Sequence, residues 1–574
     1  MGTVGKRSGS LAAAAALLGA LLVPMLTTSA GAATGTTGPQ VAGVGIGSKA
    51  ALAEDTCTAA TKRTSFAAVG SGPLCVNPWP AGKDNGGATA PGVTADSVKV
   101  VVYYGNEAME DAERAAGGRL PINQVTGQPG TWTDSFKDFD EVFQYAIEKF
   151  STYQTWGRKP VYEFVKASGP DEAAQRADAL LVKGLKPFIV IDAANQSQGA
   201  SVFEAEMANA KIIVNGAAAS ALTTAQLEKQ APYRWATQAD STASIYLVAN
   251  FLSNSLSGRK ARWAGDSALA SKKRAFGLVS PEGRIDVPLF NSLMKKYGGT
   301  ATVEAVAYDP EADSATIDET AKTLIAKLKS KGVTSVILFA NNTTARSFTA
   351  AATSNDFNPE WIVTGYQFQD FDGFARTYDQ AQMEHAFGLG VLTPRPTADP
   401  TTPAPLGQFE WYWGKTQGTT AATTIGWMSF IYGTMQYAGP MLTAQNVKKG
   451  LFSVPAVGGA SNGTVSFQTG YGRTVGLPYD EYLGLGTDVN LIWWNADLKT
   501  GGTNAVETFP GTGRFMYLNG GKRFSFGQFP KSEPKFFDEA ASLYEFPPER
   551  AYSTGKVPAA NPCTGCPSQG GAGA

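Results

Sequence analysis

The amino-acid sequence predicts an α/β protein with parallel β-sheets. Short apolar segments rich in β-branched and aromatic residues alternate with amphipathic helical patterns from Lys273 to Gly365, and the same alternation runs from Val98 to Val214. Strands that alternate with helices over short connections form parallel sheets, because right-handed crossovers place helices on both faces. Ligands of such sheets bind beyond the carboxyl ends of the strands.

The first half of the chain is predicted to contain four strands in this pattern. The helices between them run from Asp171 to Lys183 and from Ala200 to Asn209, with another around Phe139–Phe150. A long polar loop follows the first strand, and loops of that length are uncommon unless they have a function. The predicted strands are Val98–Tyr104, Val161–Val165, Pro187–Ile191 and Lys211–Val214.

Several residues at these strand ends are candidate ligand contacts. Tyr104 and Trp132, on or beside the long loop, could stack on a ligand or pack the loop. Asn195 could donate to a polar ligand or cap a turn. The small residues Gly216, Ala217 and Ala218 would let a ligand approach the backbone closely.

The second half repeats the pattern, with helical faces at 287–297, 317–328 and 344–355. Its strand ends are polar and are expected to lie close together, which adds Glu282, Asn341, Asn342 and Gln367 to the candidate ligand contacts. For the asparagines, turn capping is the alternative role. The predicted strands are Ala275–Val279, Thr302–Tyr308, Val333–Phe339 and Glu360–Thr364.

The segment Tyr233–Asn254 combines a short strand, a turn and an amphipathic helix, and is interpreted as a passage between two lobes. Later elements are strands at 386–392, 465–467 and 489–494 and helices at 425–438 and 444–451. Beyond about Pro530 the chain is polar and proline-containing, so it is expected to wrap the surface or fray.

Composition excludes several classes of function. The chain of 574 residues has 48 lysines and arginines against 49 acidic residues, which leaves no bulk charge for nucleic acid or an anionic membrane. Its single histidine, His385, removes most histidine-based metal sites and catalytic triads. We therefore expect no metal, no cofactor and no nucleic-acid partner.

The N-terminus is typical of an exported protein. Lys6 and Arg7 precede an apolar run, and Ala30-Gly31-Ala32 offers a small-residue cleavage site. We predict a signal peptide over residues 1–32. Since no cysteine lies near the cleavage site, no lipoprotein anchor is expected, and the mature protein should be soluble in the periplasm or outside the cell.

Four cysteines fit an oxidising compartment. Three pairings are possible, and Cys57 with Cys75 and Cys563 with Cys566 are favoured because each pair is close in sequence in its own terminal segment. A redox role for Cys563-Thr564-Gly565-Cys566 is the alternative, but such motifs open a helix after a strand. A zinc site would need a second ligand pair.

An enzyme is an alternative with one concrete motif. Ser292 and Lys295 fit S-x-x-K, and Lys499-Thr500-Gly501 fits the K-T-G of penicillin-recognising serine acyltransferases. The S-D-N element is absent, and Ser292 falls inside a predicted helix rather than at its start. We therefore expect no enzyme.

The order of several segments resembles the type I periplasmic substrate-binding proteins of ABC importers, in particular the leucine/isoleucine/valine-binding group. Together the similar stretches lie within roughly residues 85 to 500. They are Asn85–Thr94 before the first strand, Gly157–Val161, Pro232–Thr237 with Asp240, Asp318–Phe339, Tyr437–Pro440, Asn446–Leu451 and Asn462–Phe467.

This resemblance implies two Rossmann-like α/β lobes joined by three crossovers, which close around a small solute and deliver it to a membrane permease. The first lobe would comprise residues 97–243 and 388–478 and the second 244–387 and 479–530. A disulfide-stapled extension, 33–96, would precede them and a tail, 531–574, would follow. The protein would be a monomer. A secreted ligand-sensing module would share this fold and is the alternative.

The resemblance carries over less well to ligand recognition. In the amino-acid binders the turn that matches Gly216-Ala217-Ala218 supplies a hydroxyl, whereas this chain has Ala218 there. Gln367 falls at the position of a ligand-binding carboxylate, although Glu282 could substitute for it. Without the hydroxyl and the acid, a zwitterion's ammonium group would lack a charged partner, which argues for a small polar, amino-acid- or amide-like ligand other than a standard branched-chain amino acid.

Overall fold

The structure is a computed structural model that describes part of the chain. The predicted signal peptide, the four cysteines, Trp132, Asn195 and Ala217 lie outside the described residues, and only the backbone of Ala218 and Asn342 is described. The described residues are 63–66, 70–74, 79–105, 147, 150, 155–194, 201–216, 218–237, 239–310, 312–392, 419–453, 456, 458–460, 463, 468–482, 486–499 and 512–543.

The predicted N-terminal extension contains a β-hairpin. Its strands, β1 (Arg63–Phe66) and β2 (Gly70–Leu74), pair antiparallel. Strand β2 contacts the long helix Thr419–Ala438, so the extension packs on the body of the protein.

The first lobe is built on a five-stranded parallel sheet with the order β4-β3-β5-β6-β7. Counted along the chain from β3, the order is 2-1-3-4-5, which is a doubly wound arrangement. Its buried strands are continuous apolar runs, because helices cover both faces. The elements are β3 (Ser97–Tyr104), β4 (Lys159–Lys166), α1 (Glu172–Leu185), β5 (Ile189–Asp192), α2 (Val202–Asn209), β6 (Ile213–Gly216), α3 (Thr224–Gln230) and β7 (Arg234–Ala236).

The second lobe repeats this order with β9-β8-β10-β11-β12, all parallel. Short helical turns also lie at 267–270, 372–375 and 380–383. The main elements are α4 (Ser241–Phe251), β8 (Phe276–Pro281), α5 (Val287–Lys296), β9 (Glu304–Tyr308), α6 (Ser314–Ser330), β10 (Ser335–Leu338), α7 (Asn342–Ser354), β11 (Glu360–Val363) and β12 (Ala386–Gly390).

The chain crosses between the two lobes three times. The first crossover leads from β7 to α4, which packs in the core of the second lobe. After β12 the chain returns with α8 (Thr419–Ala438) and α9 (Ala444–Ser453), which pack in the core of the first lobe. The third crossover enters β13 (Asp488–Lys499). The predicted fold class, two α/β lobes with parallel sheets and three crossovers, is confirmed by this topology.

The second sheet contains antiparallel strands in addition to the predicted parallel ones. Strand β13 pairs antiparallel with β12, and β14 (Thr512–Leu518), β15 (Arg523–Ser525) and β16 (Ser542–Leu543) extend it further. Because β12 pairs on both sides, it belongs wholly to this sheet, although the predicted lobe boundary at 387/388 divides it. Residues 531–543 also belong to the second lobe: Phe536 is buried in its core, where the sequence analysis places the start of a tail.

Three of the stretches that carry the family resemblance meet at one buried side chain, Arg158. Its guanidinium donates to the carbonyls of Thr94 (2.8 Å), Asn85 (2.6 Å), Gly87 (3.0 Å) and Pro440 (2.6 Å). Arg158 is 2% exposed. These motif residues therefore fasten the chain before β3 to the start of β4 and to the loop between α8 and α9.

Candidate functional site

The three crossovers lie side by side at the junction of the lobes. The amide of Ala236, at the start of the first crossover, donates to the carbonyl of Tyr482, at the start of the third (3.0 Å). A Cβ atom placed on Gly486 would lie 3.7 Å from Ala239 in the first crossover and 3.9 Å from Val391 in the second. The junction is therefore compact, and both sheets have their carboxyl edges beside it, because β7 and β12 both end there.

Arg523 fastens the second and third crossovers where they join the second lobe. Its guanidinium donates to the carbonyls of Leu392 (3.0 Å), Val391 (2.9 Å) and Asp488 (2.7 Å). The side chain is 2% exposed. Since these ends are fixed to the second lobe, any hinge rotation must take place on the first-lobe side of the two crossovers.

At the carboxyl edge of the first sheet, register places Tyr103, Asp192, Gly216 and Ala236 in one row. Tyr104 directly follows this row and is partly buried against the core of the lobe. The structure thus brings two predicted residues, Tyr104 and Gly216, to one edge.

The packing around Gly216 explains why this position has no side chain. A Cβ atom there would collide with the Glu204 carboxylate, which pairs with Arg234 (2.8 Å) in the buried layer beside the strand ends. Asp192 accepts hydrogen bonds from the amide of Ala194 (3.1 Å) and from the Ser201 hydroxyl (3.4 Å). The floor of this edge is therefore polar and held together by hydrogen bonds, a feature that sequence reasoning missed.

At the carboxyl edge of the second sheet, Leu338 pairs with Val279 on one side and with Val363 on the other, so β10 and β11 end together and β8 continues two residues further, to Pro281. The predicted contacts Glu282, Asn341 and Gln367 follow these ends. Glu282 is exposed, and its amide donates to the carbonyl of Tyr308 (2.9 Å). Asn341 caps α7, since its side-chain oxygen accepts the amide of Thr344 (2.8 Å), which is the alternative role considered for it.

Gln367 is the most distinctive of the predicted residues. It has a left-handed backbone (φ 52°, ψ 41°) in the short turn that follows β11 and is half-buried. Non-glycine residues held in this region cluster at ligand sites. The turn is fixed by Gln369, whose side chain donates to the carbonyl of Ala340 (2.7 Å) and accepts from the Thr364 hydroxyl (3.1 Å), so it ties the ends of β10 and β11 together.

Sequence reasoning missed two phenols at this edge, Tyr308 and Tyr366. Both side chains are buried, and burial raises the pKa of Tyr366 to about 12 while it also raises the pKa of Tyr308. Arg284 lies in the turn after β8, where its amide donates to the carbonyl of Pro281 (3.3 Å), and its positive charge opposes part of the rise in both pKa values. The second edge thus combines amide groups, phenols and one cation.

The described residues place the S-x-x-K motif on the surface of a helix. Ser292 and Lys295 are exposed in the middle and last turn of α5, whereas an S-x-x-K nucleophile opens a helix against a pocket. No group of three or more His, Cys, Asp or Glu side chains within the described part of the chain could hold a metal ion. In the same part of the chain, no helix is both long and apolar enough to cross a membrane.

No known sequence family matches the chain, and no curated protein matches its sequence. Similar solved structures include the solute-binding protein of an ABC transporter from R. palustris in complex with 4-hydroxybenzoate, which is 12% identical with a TM-score of 0.41 over 71% of this chain and 94% of that one. A fatty acid ABC transporter substrate-binding protein from Thermomonospora curvata is 14% identical, with a TM-score of 0.41 over 76% and 97% of the two chains.

An ABC transporter substrate-binding protein from Desulfitobacterium hafniense in complex with Leu is 12% identical, with a TM-score of 0.41 over 74% of this chain and 100% of that one. All three are substrate-binding proteins of ABC transporters, the class that the sequence resemblance names. The fold assignment itself rests on the strand orders and the three crossovers described above.

Proposed function

We propose that this protein is an exported solute-binding component of an ABC-type importer, which captures a small polar ligand between its lobes. The observation that carries the proposal is the junction itself. Two doubly wound sheets of the same strand order have their carboxyl edges beside three adjacent crossovers. Ligands of such sheets bind at these edges, and two lobes joined by a few backbone segments close by hinge rotation.

The ligand is proposed to be amino-acid- or amide-like. Amide side chains such as Gln367 offer both a donor and an acceptor to such a molecule. Arg284 supplies a cation that suits a carboxylate or a polarised carbonyl group. Gln367 stands at the position after β11 where the resemblance implies a carboxylate for the ligand's ammonium group, so a neutral amide fits this edge better than a standard zwitterion.

The first test is native mass spectrometry of protein purified without refolding, followed by thermal-shift screening against amino acids, amides, polyamines and sugars. A binder stabilises the folded state by mass action, so we expect one class to raise the melting temperature by several degrees and to be recovered unchanged. If no class shifts the melting temperature and no small molecule co-purifies, solute binding is contradicted.

The screening hit then tests the site through Gln367→Gly, which removes the amide and retains a backbone that tolerates a positive φ. Loss of one buried hydrogen bond to a ligand costs about 1.4 kcal/mol, so we expect affinity to fall about tenfold by isothermal titration calorimetry. Lys322→Ala, on the exposed face of α6, is the control and should bind as the wild type does. If the Gln367 variant bound the ligand with unchanged affinity, a ligand contact by Gln367 at the second edge would be contradicted.

A further inference from the structure

Two acidic side chains that the proposed ligand site does not use are buried together at the junction of the lobes. Asp240 ends the first crossover and caps α4, and Glu481 precedes the third crossover. Both are 0% exposed. They therefore belong to two of the three segments about which the lobes must move.

Both carboxylate oxygens of Asp240 accept hydrogen bonds. One carboxylate oxygen accepts the amide of Ala243 (2.8 Å), and the other accepts the hydroxyl of Thr224 from α3 of the first lobe (2.5 Å). The side chain consequently joins the start of the second-lobe helix α4 to the first lobe, across the first crossover.

The Glu481 carboxylate has fewer hydrogen-bond donors than that of Asp240. One oxygen accepts the amide of Tyr482 (2.8 Å), while the other oxygen is buried without a donor among the described residues. The Asp240 carboxyl lies beside it, because the hydrogen bond from Ala236 to Tyr482 and the ring contact between Tyr246 and Tyr479 hold the two chain segments together, and each acid alters the pKa of the other. Two ionised carboxylates placed side by side would repel each other in a buried site, so the contact requires a proton between them.

The groups that face the pair do not neutralise it. They are the phenols of Tyr479 and Tyr246, the hydroxyl of Thr224 and the amides of Thr242, Ala243 and Tyr482. Tyr246 and Tyr479 contact edge to face (5.2 Å between centroids), and with Ala243, Val475 and Leu477 they form a small apolar cluster around the acids. Burial, opposed by hydrogen bonds from Thr224 and Ala243, raises the pKa of Asp240 to about 6. Burial and the Asp240 charge raise the pKa of Glu481 well above its ordinary value.

We propose that Asp240 and Glu481 share one proton and act as a proton-sensitive latch, which holds the first and third crossovers together and stabilises the lobe arrangement of this structure. Loss of the shared proton leaves two buried negative charges side by side. Repulsion then separates the crossovers and shifts the lobes to another arrangement, in which the acids are hydrated. The latch would regulate the proposed binding site, and to that extent it rests on the proposed function.

The direction of the pH dependence follows from the raised pKa values. A buried acid whose pKa is raised binds more protons in the folded than in the unfolded protein, so its contribution to stability is complete below the ordinary carboxyl pKa of about 4. That contribution is lost as the pH rises through the folded pKa, about 6 for Asp240 and higher for Glu481. The latch should therefore be closed in acid and released in alkali.

The test measures the distance between the lobes in the ligand-free protein as a function of pH. Fluorophores are attached through unnatural amino acids at Ala173 and Ala315, which are exposed in the first turns of α1 and α6, each after the edge strand of its sheet. We expect the transfer efficiency of the wild type to change between pH 5 and 9. In Glu481→Gln and Asp240→Asn, each of which replaces the shared proton by an amide, the efficiency should stay constant over the same range.

Asp370→Asn is the matched control. Burial also raises the pKa of Asp370, to about 7, but its carboxylate accepts the amide of Leu392, at the end of the second crossover that Arg523 fixes to the second lobe. This variant should keep the wild-type change in transfer efficiency. A wild type that shows no change, or a change that persists in both latch variants, would overturn the latch. Because no ligand is present, failure of the solute screen would not affect this result, and failure of the latch would leave solute binding intact.

Discussion

At the scale of single residues, Arg158 joins segments that are distant in sequence through four hydrogen bonds to backbone carbonyls. A buried guanidinium without an ion-pair partner is costly, because its charge is removed from water. Here carbonyl oxygens of two other segments, 85–94 and 437–440, replace the water, although burial lowers the pKa of Arg158. The same geometry gives the segments at Asn85, Gly157 and Tyr437 a structural role, although none of them follows a strand at either carboxyl edge.

This arrangement predicts that Arg158→Lys destabilises the protein. One ammonium group cannot span acceptors that the planar guanidinium reaches in different directions, so at least two buried carbonyls lose their donor. We expect the free energy of unfolding to fall by about 2–4 kcal/mol in guanidinium chloride titrations. Arg176→Lys, at an exposed ion pair on α1, is the control and should unfold as the wild type does. Equal stability of the two variants would show that the clamp contributes little.

At the scale of elements, the C-terminal part of the described chain is a structural component of the second lobe. Phe536 packs at a tilted angle against Phe387 (4.6 Å between centroids) and edge to face against Trp263 (5.3 Å). Glu533 pairs with Arg274, which also holds Glu360 (2.7 Å) in the interior of the lobe. An apolar anchor and a charged anchor thus fix residues 533–536 beside β12.

We therefore expect Phe536→Ala to lower the free energy of unfolding by about 3–5 kcal/mol, the range for a large buried aromatic side chain whose removal leaves a cavity. The adjacent Phe537→Ala is the matched control, because Phe537 is only partly buried, and it should cost less. Chemical denaturation of both variants measures the difference. If Phe536→Ala proved the milder change, the segment would not be anchored as the structure indicates.

The elements of the two parallel sheets could be predicted because each depends on local pattern. The predicted helix 287–297 is Val287–Lys296 in the structure, and the predicted strand 360–364 is Glu360–Val363. The antiparallel strands β14 to β16 escaped prediction because they are held by pairing with neighbouring strands: β14 and β15 pair with β13, and β16 pairs with β14. Phe515–Leu518 is an apolar run that could have indicated β14, whereas two-residue β16 carries no pattern of its own.

The candidate site could be predicted only in its location. Gly216, Asn341 and Gln367 follow strand ends, and the topology of a parallel sheet determines where such ends lie. The chemistry around them depends on tertiary contacts: Glu204 fills the space beside Gly216, and Tyr366 is buried against Phe339. The acids at the hinge, Asp240 and Glu481, are far apart in sequence, so no spacing rule could have paired them.

At the scale of the whole molecule, the arrangement of the lobes depends on a small contact region. The first crossover is held to the third by the hydrogen bond from Ala236 to Tyr482 and by the proposed acid pair. Gly486, in the third crossover, lies next to Ala239 of the first and Val391 of the second. Each lobe has its own large core, so modest changes at the junction can alter lobe arrangement without unfolding either lobe.

Gly486→Ala tests this separation between lobe stability and lobe arrangement. Gly486 has a φ of 82°, and an added methyl group would make ordinary contacts with Ala239 and Val391, so the change introduces backbone strain rather than a collision. A left-handed alanine costs roughly 1 kcal/mol, and rotation at the third crossover relieves that cost. We therefore expect the Ala173–Ala315 transfer efficiency to shift at constant pH. Gly283→Ala bears a similar strain (φ 71°) in a loop of the second lobe with open space around it, and should leave the efficiency unchanged. The same efficiency in both variants would mean that Gly486 does not take part in the hinge.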